Sequence, residues 1–221
     1  VPSSSDEQAQ GPAPGGPGAI ERLLGSFAFS VFCCAVWTGL GVSRARALAE
    51  EFSWLEVVWL AYNVTLGVLF LIRVRPVAVS LNPIHWAVAL LASFSGMFFE
   101  STSPALRGLR PVADGMILAG LAGSAAAGLA LRRSYDFLPA LRGVSTGGLY
   151  RFVRHPMYTS ALLTRFGYLI RHASVYNAAV FVVVLWLYDR RARIEEQTML
   201  GDPRYQEYAR RMRWRFVPGL Y

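Results

Sequence analysis

Twelve consecutive residues hold the densest grouping of reactive side-chain types in this chain: Gly147-Gly148-Leu149-Tyr150-Arg151-Phe152-Val153-Arg154-His155-Pro156-Met157-Tyr158. Proline disfavours helical geometry in the residue before it and suits the first helical position, so His155 is predicted to cap a helix beginning at Pro156. Tyr158 then falls in the first turn of that helix, and Gly147 and Gly148 supply a flexible bend just upstream of Tyr150. An imidazole, two phenols and the unsatisfied backbone N–H groups of a helix start make a pocket rim able to hydrogen-bond a ligand carboxylate. The same residues also fit a membrane-surface hinge with snorkelling arginines and interfacial tyrosines, and this segment alone leaves the two readings level.

A second grouping follows the last apolar run: Asp189-Arg190-Arg191-Ala192-Arg193-Ile194-Glu195-Glu196. Arg191 with Glu195 and Asp189 with Arg193 are four apart, the spacing of solvated pairs on a helix. Glu196 has no basic residue at 192 or 200, which leaves it freer to point at a cationic ligand. Tyr205, Tyr208, Arg213, Trp214, Arg215 and Phe216 add aromatic and guanidinium groups further on. Aromatic faces beside a carboxylate suit a sulfonium or quaternary ammonium ion, through cation–π attraction and direct charge. A methyl donor such as S-adenosylmethionine carries such a cation.

The elements that must position these groups are membrane helices. Of 221 residues, 54% are hydrophobic and only 16% charged, and the mean hydropathy is +0.35, values that exclude most soluble classes. Leu23 to Val42, Trp54 to Ile72, Ile84 to Phe99 and Val112 to Leu131 come near the roughly 20 residues needed to cross a bilayer. The apolar region Tyr158 to Tyr188 is too long for one span and is interrupted between Arg165 and Ser174, which predicts a helical hairpin. The expected fold is therefore all-α, a multi-pass integral membrane bundle of about five to six membrane helices. Its expected parts are a disordered tail (residues 1–20), a four-helix membrane region (21–133) and a catalytic C-terminal region with a cofactor pocket (134–221).

Charge is distributed unevenly. Seven arginines oppose eight acids up to Leu131, whereas fifteen oppose six from Arg132 onward, an excess of +9 confined to the C-terminal part. Cations at Arg22, Arg73, Arg75, Arg132 and Arg133, with that C-terminal excess, share one predicted face, which the positive-inside rule makes cytoplasmic together with both termini. Anionic headgroups account for these arginines, so no nucleic-acid partner is expected. Lysine is absent, which fits a GC-rich coding bias and a bacterial inner membrane. Cys33 and Cys34 are adjacent and point to different helix faces, so they are read as apolar filler, and no metal site is expected. The first four spans carry no ionisable residue at mid-depth, which argues against an ion pathway. Gly120, Ser124 and Gly128 recur at steps of four and predict a helix-packing face.

The series Gly148-Leu149-Tyr150, Val153-Arg154-His155-Pro156-Met157-Tyr158, a hairpin, Arg193-Ile194-Glu195-Glu196, Tyr205, Tyr208 and Arg213 to Pro218 resembles the isoprenylcysteine carboxyl methyltransferase family and its bacterial relatives. Membrane phospholipid N-methyltransferases share much of the pattern. The resemblance runs from about Ser134 to Tyr221 and implies a multi-pass enzyme that binds S-adenosylmethionine from the cytosol and meets a lipophilic small-molecule or lipidated acceptor from the bilayer. Carried over by position, it implies that Tyr150, His155, Tyr158, Glu195 and Glu196 contact the cofactor. Arg154 and Arg193 are implied for a carboxylate of the acceptor or of the cofactor, and His155 for proton transfer if the acceptor is an amine or thiol. Two other readings stay open: a membrane NADPH-dependent reductase of sterol-reductase type, which uses a similar arginine-histidine turn, and a non-enzymatic scaffold or permease subunit.

Overall fold

The computed structural model describes residues 19–24, 26–74, 78–80, 82–102, 106–135, 140–141 and 144–221. The tail expected over residues 1–20 lies outside them except for its last two residues, which begin helix α1 (Ala19–Leu24). Among the described residues, three helices are long and apolar enough to cross a membrane: α2 (Phe27–Glu50), α3 (Trp54–Ile72) and α5 (Arg110–Leu131). A shorter apolar helix, α4 (Pro83–Phe94), tightens into a 3-10 turn over Ser95–Phe98. Asn82 caps α4 by accepting from the Ile84 N–H at 2.9 Å, with Pro83 at the first helical position. At its other end the Ser95 hydroxyl bonds back to the Ala92 carbonyl at 2.7 Å, competing with the backbone ladder where the helix narrows.

The C-terminal hairpin is α6 (Pro156–Arg171) and α7 (Val175–Met199), followed by a short α8 (Pro203–Arg211). The interruption expected between Arg165 and Ser174 is narrower than the sequence indicates. Helix α6 runs unbroken through Arg165 and Gly167 to Arg171, and the turn occupies only His172 to Ser174. Ser174 caps α7 by accepting from the Asn177 N–H at 3.0 Å, and the buried Asn177 side chain bonds both Glu100 and the His172 carbonyl. Those backbone groups are paired within the protein, as an apolar surrounding requires.

Helix α5 packs against α6 through small residues. A Cβ on Gly120 would collide with the Ser160 carbonyl at 2.6 Å and with the Thr164 backbone, and one on Gly167 would meet the Ala113 carbonyl at 2.8 Å. Close backbone approach thus explains Gly120, whereas Gly128 leaves room for the side chains of Leu69 and Met157. Trp37 and Cys33 from α2 pack with Leu66, Leu69 and Phe70 of α3 over Tyr135, while Val88 and Ala92 of α4 pack with Tyr158, Val184, Tyr188 and Ala192 of the hairpin. Outward-facing Phe32, Val64, Val68, Leu91, Val182 and Trp186 are exposed, an apolar exterior suited to lipid. Arg73, grouped above with the loop cations, is instead buried and ties the end of α3 to Ser30 at 2.9 Å. A pair of two-residue strands, β1 (Ala78–Val79) and β2 (Ala140–Leu141), joins the loop after α3 to the loop after α5. That end of the bundle also holds the start of α6 and the charged end of α7.

Candidate active site

Helix α6 starts as the proline dictates: His155 occupies the capping position with Pro156 next, but its side chain does not cap. It turns to α7 instead. Two backbone bonds, from Arg154 N–H to the Trp214 carbonyl at 2.8 Å and from His155 N–H to the Arg215 carbonyl at 3.0 Å, lay the C-terminal segment beside the turn. Thr159 adds a third tie, from its hydroxyl to the Phe216 carbonyl at 2.7 Å. Just upstream, Gly148 has φ of 59°, a left-handed conformation that glycine adopts without steric cost, and the 3-10 turn that follows buries Tyr150. The Tyr208 hydroxyl of α8 donates to the Tyr150 carbonyl at 2.6 Å and pins that turn.

Glu196 is the anchor of this arrangement. It accepts from His155 Nε2 at 3.0 Å and from Arg215 Nε and Nη2 at 3.0 and 2.8 Å, and pairs with Arg154 Nη1 at 3.1 Å. The carboxylate expected to be free for a ligand is the most heavily paired in the site, because its partners come from segments far away in the sequence. Glu196 lies beyond the apolar stretch of α7. Burial raises its pKa, but the hydrogen bonds from His155 and Arg215 and the charge of Arg154 outweigh this and hold the carboxyl at about 2. A carboxylate only accepts, so His155 carries a proton on Nε2, and Nδ1 is the ring nitrogen turned toward Glu195.

Glu195 faces the other way. Its Oε1 accepts from the Tyr158 hydroxyl and from Arg191 Nε at 3.1 Å, and its Oε2 lies 3.9 Å from His155 Nδ1. The Arg191–Glu195 pair, which the four-residue spacing presents as solvated, is buried: Arg191 is 5% exposed and also donates to Ser93 Oγ at 2.7 Å and the Ala89 carbonyl at 3.2 Å. Its guanidinium sits over the Tyr158 ring at 5.0 Å, and Tyr158 in turn stacks on His155 with centroids 5.2 Å apart.

These groups wall a cavity whose free interior is about 150 Å³, below the roughly 300–1,000 Å³ of an ordinary small-molecule pocket. Of the residues singled out from sequence, Tyr150, Arg154, His155, Tyr158 and Glu195 line it. Glu196 stands behind His155. Arg193 is not in the wall; it is half exposed and pairs with Asp189 at 2.8 Å and the Tyr221 hydroxyl at 2.8 Å. Trp37, Tyr62, Arg165, Tyr188 and Arg191 complete the inner wall, none of them singled out as site residues from sequence. The detectable signal was the spacing of Tyr158, Ala161 and Arg165 on one face of α6.

Among the described residues, two buried polar atoms on the cavity wall make no well-formed hydrogen bond, the Tyr205 hydroxyl and Arg154 Nε, although the Arg154 guanidinium lies close enough to Tyr205 to pull against the rise in its phenol pKa. Tyr205 is 3% exposed, and burial pushes its phenol pKa up, as it pushes that of Tyr208 up to about 12, so both are neutral donors at physiological pH. Buried donors without acceptors are rare in native proteins and mark places a ligand would satisfy.

Residues 120–202 match the family model of phospholipid methyltransferases. That family includes isoprenylcysteine carboxyl methyltransferase-like proteins, which agrees with the resemblance carried by the His155 turn and the Glu195–Glu196 pair. No curated protein matches the chain. The phospholipid methyltransferase match starts on α5, earlier than the resemblance noted from sequence, and stops at Asp202, the cap of α8. It includes Tyr150, Arg154, His155, Tyr158, Glu195 and Glu196 and leaves out Tyr205, Tyr208 and Arg215. The match and the apolar helices together support a membrane methyltransferase.

The donor that a phospholipid methyltransferase segment implies can be tested against this wall. A sulfonium suits the Glu195 carboxylate, and the amino-acid and nucleoside polar groups suit the buried Tyr205 hydroxyl and the Arg154 guanidinium beside it. The residues fit.

Proposed function

We propose that this protein is an integral membrane methyltransferase that uses S-adenosylmethionine at the cytoplasmic face and methylates a lipophilic acceptor entering from the bilayer. The observation that carries this reading is the juxtaposition of His155 Nδ1 and Glu195 Oε2, 3.9 Å apart, on the wall of one cavity. When bound, S-adenosylmethionine supplies an electrophilic methyl group whose sulfur leaves as a neutral thioether.

The chain's own residues have three tasks. Glu195, oriented by the Tyr158 hydroxyl, and the aromatic face of Tyr150 hold a cation, while Arg154 and Tyr205 fix the polar groups attached to it. The aromatic inner wall excludes water and aligns the acceptor, and such positioning supplies much of the rate in an in-line displacement. A carboxylate acceptor needs no base. An amine or thiol acceptor gives up a proton, which His155 takes at Nδ1 because its Nε2–H is committed to Glu196.

Calorimetric titration of the detergent-purified protein with S-adenosylhomocysteine tests the reading. Binding by the wild type, weakened about tenfold or more in His155→Ala and in Glu195→Gln, is expected from the loss of charge-assisted contacts. Absence of binding by the wild type, or equal affinity in all three proteins, overturns it.

A further inference from the structure

The segment from Arg213 to Tyr221 contributes no side chain to the cavity wall, yet it closes on the groups that hold His155. It folds back on itself: the N–H groups of Arg215, Phe216 and Val217 donate to the main-chain oxygen of Tyr221 at 2.9, 2.8 and 2.9 Å. That fold carries the Tyr221 side chain to the charged end of α7. Its hydroxyl donates to Asp189 Oδ1 at 2.7 Å and accepts from Arg193 Nη2 at 2.8 Å and Arg215 Nη1 at 2.6 Å. Those contacts use its one donor and both of its lone pairs. The ring lies under the Arg215 guanidinium, 5.2 Å to the centroid, and 5.9 Å from that of Phe216.

Arg215 stands between two carboxylates. Its Nε and Nη2 hold Glu196 at 3.0 and 2.8 Å, while its Nη1 lies 3.8 Å from Asp189 Oδ1. The outcome matters to the site because Glu196 Oε1 also accepts from His155 Nε2. A two-bond pair between arginine and carboxylate is the strongest such geometry, and one formed with Asp189 would turn the guanidinium edge away from Glu196. The Tyr221 hydroxyl opposes this twice. By donating to Asp189 it fills the oxygen nearest Arg215, and by accepting from Nη1 it fixes the guanidinium with its other edge on Glu196. Arg193, half exposed, pairs with Asp189 Oδ2 on the far side, and its removal leaves both of these contacts in place.

We infer that Tyr221 is a positioning residue for His155, acting through Arg215 and Glu196. Giving His155 a part in the reaction rests on the methyltransferase reading; the chain of contacts does not. Tyr221 keeps Arg215 on Glu196, so that Glu196 keeps the Nε2–H and Nδ1 stays turned to Glu195. Both Arg215 and Tyr221 lie beyond residues 120–202, the segment that matches the phospholipid methyltransferases.

The test is a set of four proteins, each the full chain in one detergent: wild type, Tyr221→Phe, Asp189→Asn and the double variant. The chain has three histidines, so nitrogen-15 labelling of their rings gives a simple spectrum in which His155→Gln identifies the signal of interest. The wild type is expected to show the His155 Nε2 proton as a slowly exchanging signal. Tyr221→Phe keeps the ring and removes the hydroxyl. It is expected to shift or broaden that signal and to weaken S-adenosylhomocysteine binding about threefold or more, the scale of one lost hydrogen bond. Asp189→Asn alone is expected to leave both as in the wild type, because an amide oxygen still accepts from Tyr221 and no longer attracts Arg215. In the double variant the competing charge is gone, and signal and affinity return close to those of the wild type. A packing role for Tyr221 gives no such rescue. An unaltered His155 signal in Tyr221→Phe, or one that stays altered in the double variant, overturns the inference. So does a S-adenosylhomocysteine affinity that fails to follow the signal, where the wild type binds it. Should Tyr221→Phe prove too unstable for spectroscopy, melting decides: recovery in the double variant upholds the inference and equal instability overturns it. Absence of S-adenosylhomocysteine binding by the wild type sinks the methyltransferase reading by itself, and the His155 signal alone then decides the role of Tyr221.

Discussion

His155 Nε2 donates to Glu196 Oε1 at 3.0 Å across 41 positions of sequence, joining the start of α6 to the charged end of α7. The bond fixes which imidazole nitrogen is available. With Nε2–H committed to a carboxylate that Arg154 and Arg215 also hold, Nδ1 is the nitrogen turned to Glu195 and the cavity. His155 is 6% exposed and Glu196 8%, so the pair is a buried joint between three chain segments.

Breaking that joint should be costly. Glu196→Gln leaves Arg154 and Arg215 without their anion and is expected to destabilise the protein by about 3 kcal/mol or more at neutral pH. Thermal melting in a fixed detergent, monitored by circular dichroism, measures the loss.

The same carboxylate sets an acid limit. Its folded pKa of about 2 lies below the ordinary 4.5, so its stabilising effect is complete above about pH 4.5 and disappears as pH falls through the folded value. The wild-type melting temperature should therefore drop more steeply than that of Glu196→Gln between pH 4.5 and 2. Parallel slopes for the two proteins would show that Glu196 is not the group responsible.

Tyr205 separates binding from stability. Its buried hydroxyl makes no well-formed hydrogen bond among the described residues, with only the Arg154 guanidinium nearby, so Tyr205→Phe should leave the ligand-free protein as stable or raise stability by up to about 1 kcal/mol. The same substitution should weaken S-adenosylhomocysteine binding severalfold. A melting temperature that falls, with binding untouched, would place a structural water or protein partner on that hydroxyl in place of a ligand.

Arg193 should be dispensable. Its pair with Asp189 is half exposed, and exposed pairs contribute about 0–1 kcal/mol. Arg193→Ala is expected to keep full donor affinity and nearly full stability, in contrast to Arg154→Ala, which removes both a Glu196 partner and a wall residue.

Two glycines on one helix test the packing. Gly120→Ala drives a methyl into the Ser160–Thr164 backbone and should cost about 1–3 kcal/mol. Gly115→Ala, with nothing within 4 Å of the added carbon, should be neutral or slightly stabilising. Equal melting temperatures for the two variants would contradict the close approach of α5 and α6.

Much of the frame is legible in the sequence because it depends on local physics. Apolar stretches of span length follow from the lack of water in a bilayer, and the start of α6 follows from a proline that fits only the first helical turn. The packing face of α5 is visible because small residues at steps of four line up on one side of a helix. Tyr150, Arg154, His155, Tyr158 and Glu195 stand out by type and spacing, and the fold brings them to one cavity.

Partnership was decided only in three dimensions. Sequence spacing makes Glu196 look free and Arg191–Glu195 look solvated, yet Glu196 is bound by residues 154, 155 and 215 and Arg191 is sunk among Ala89, Ser93 and Tyr158. Arg165 reads in sequence as part of a break in the hairpin, and only the continuous α6 shows it facing the cavity. The physical reason is one of range. Helix formation and membrane length depend on neighbours a few residues apart, whereas the energy of a buried charge depends on whatever partner the fold brings within about 4 Å, however distant in the chain.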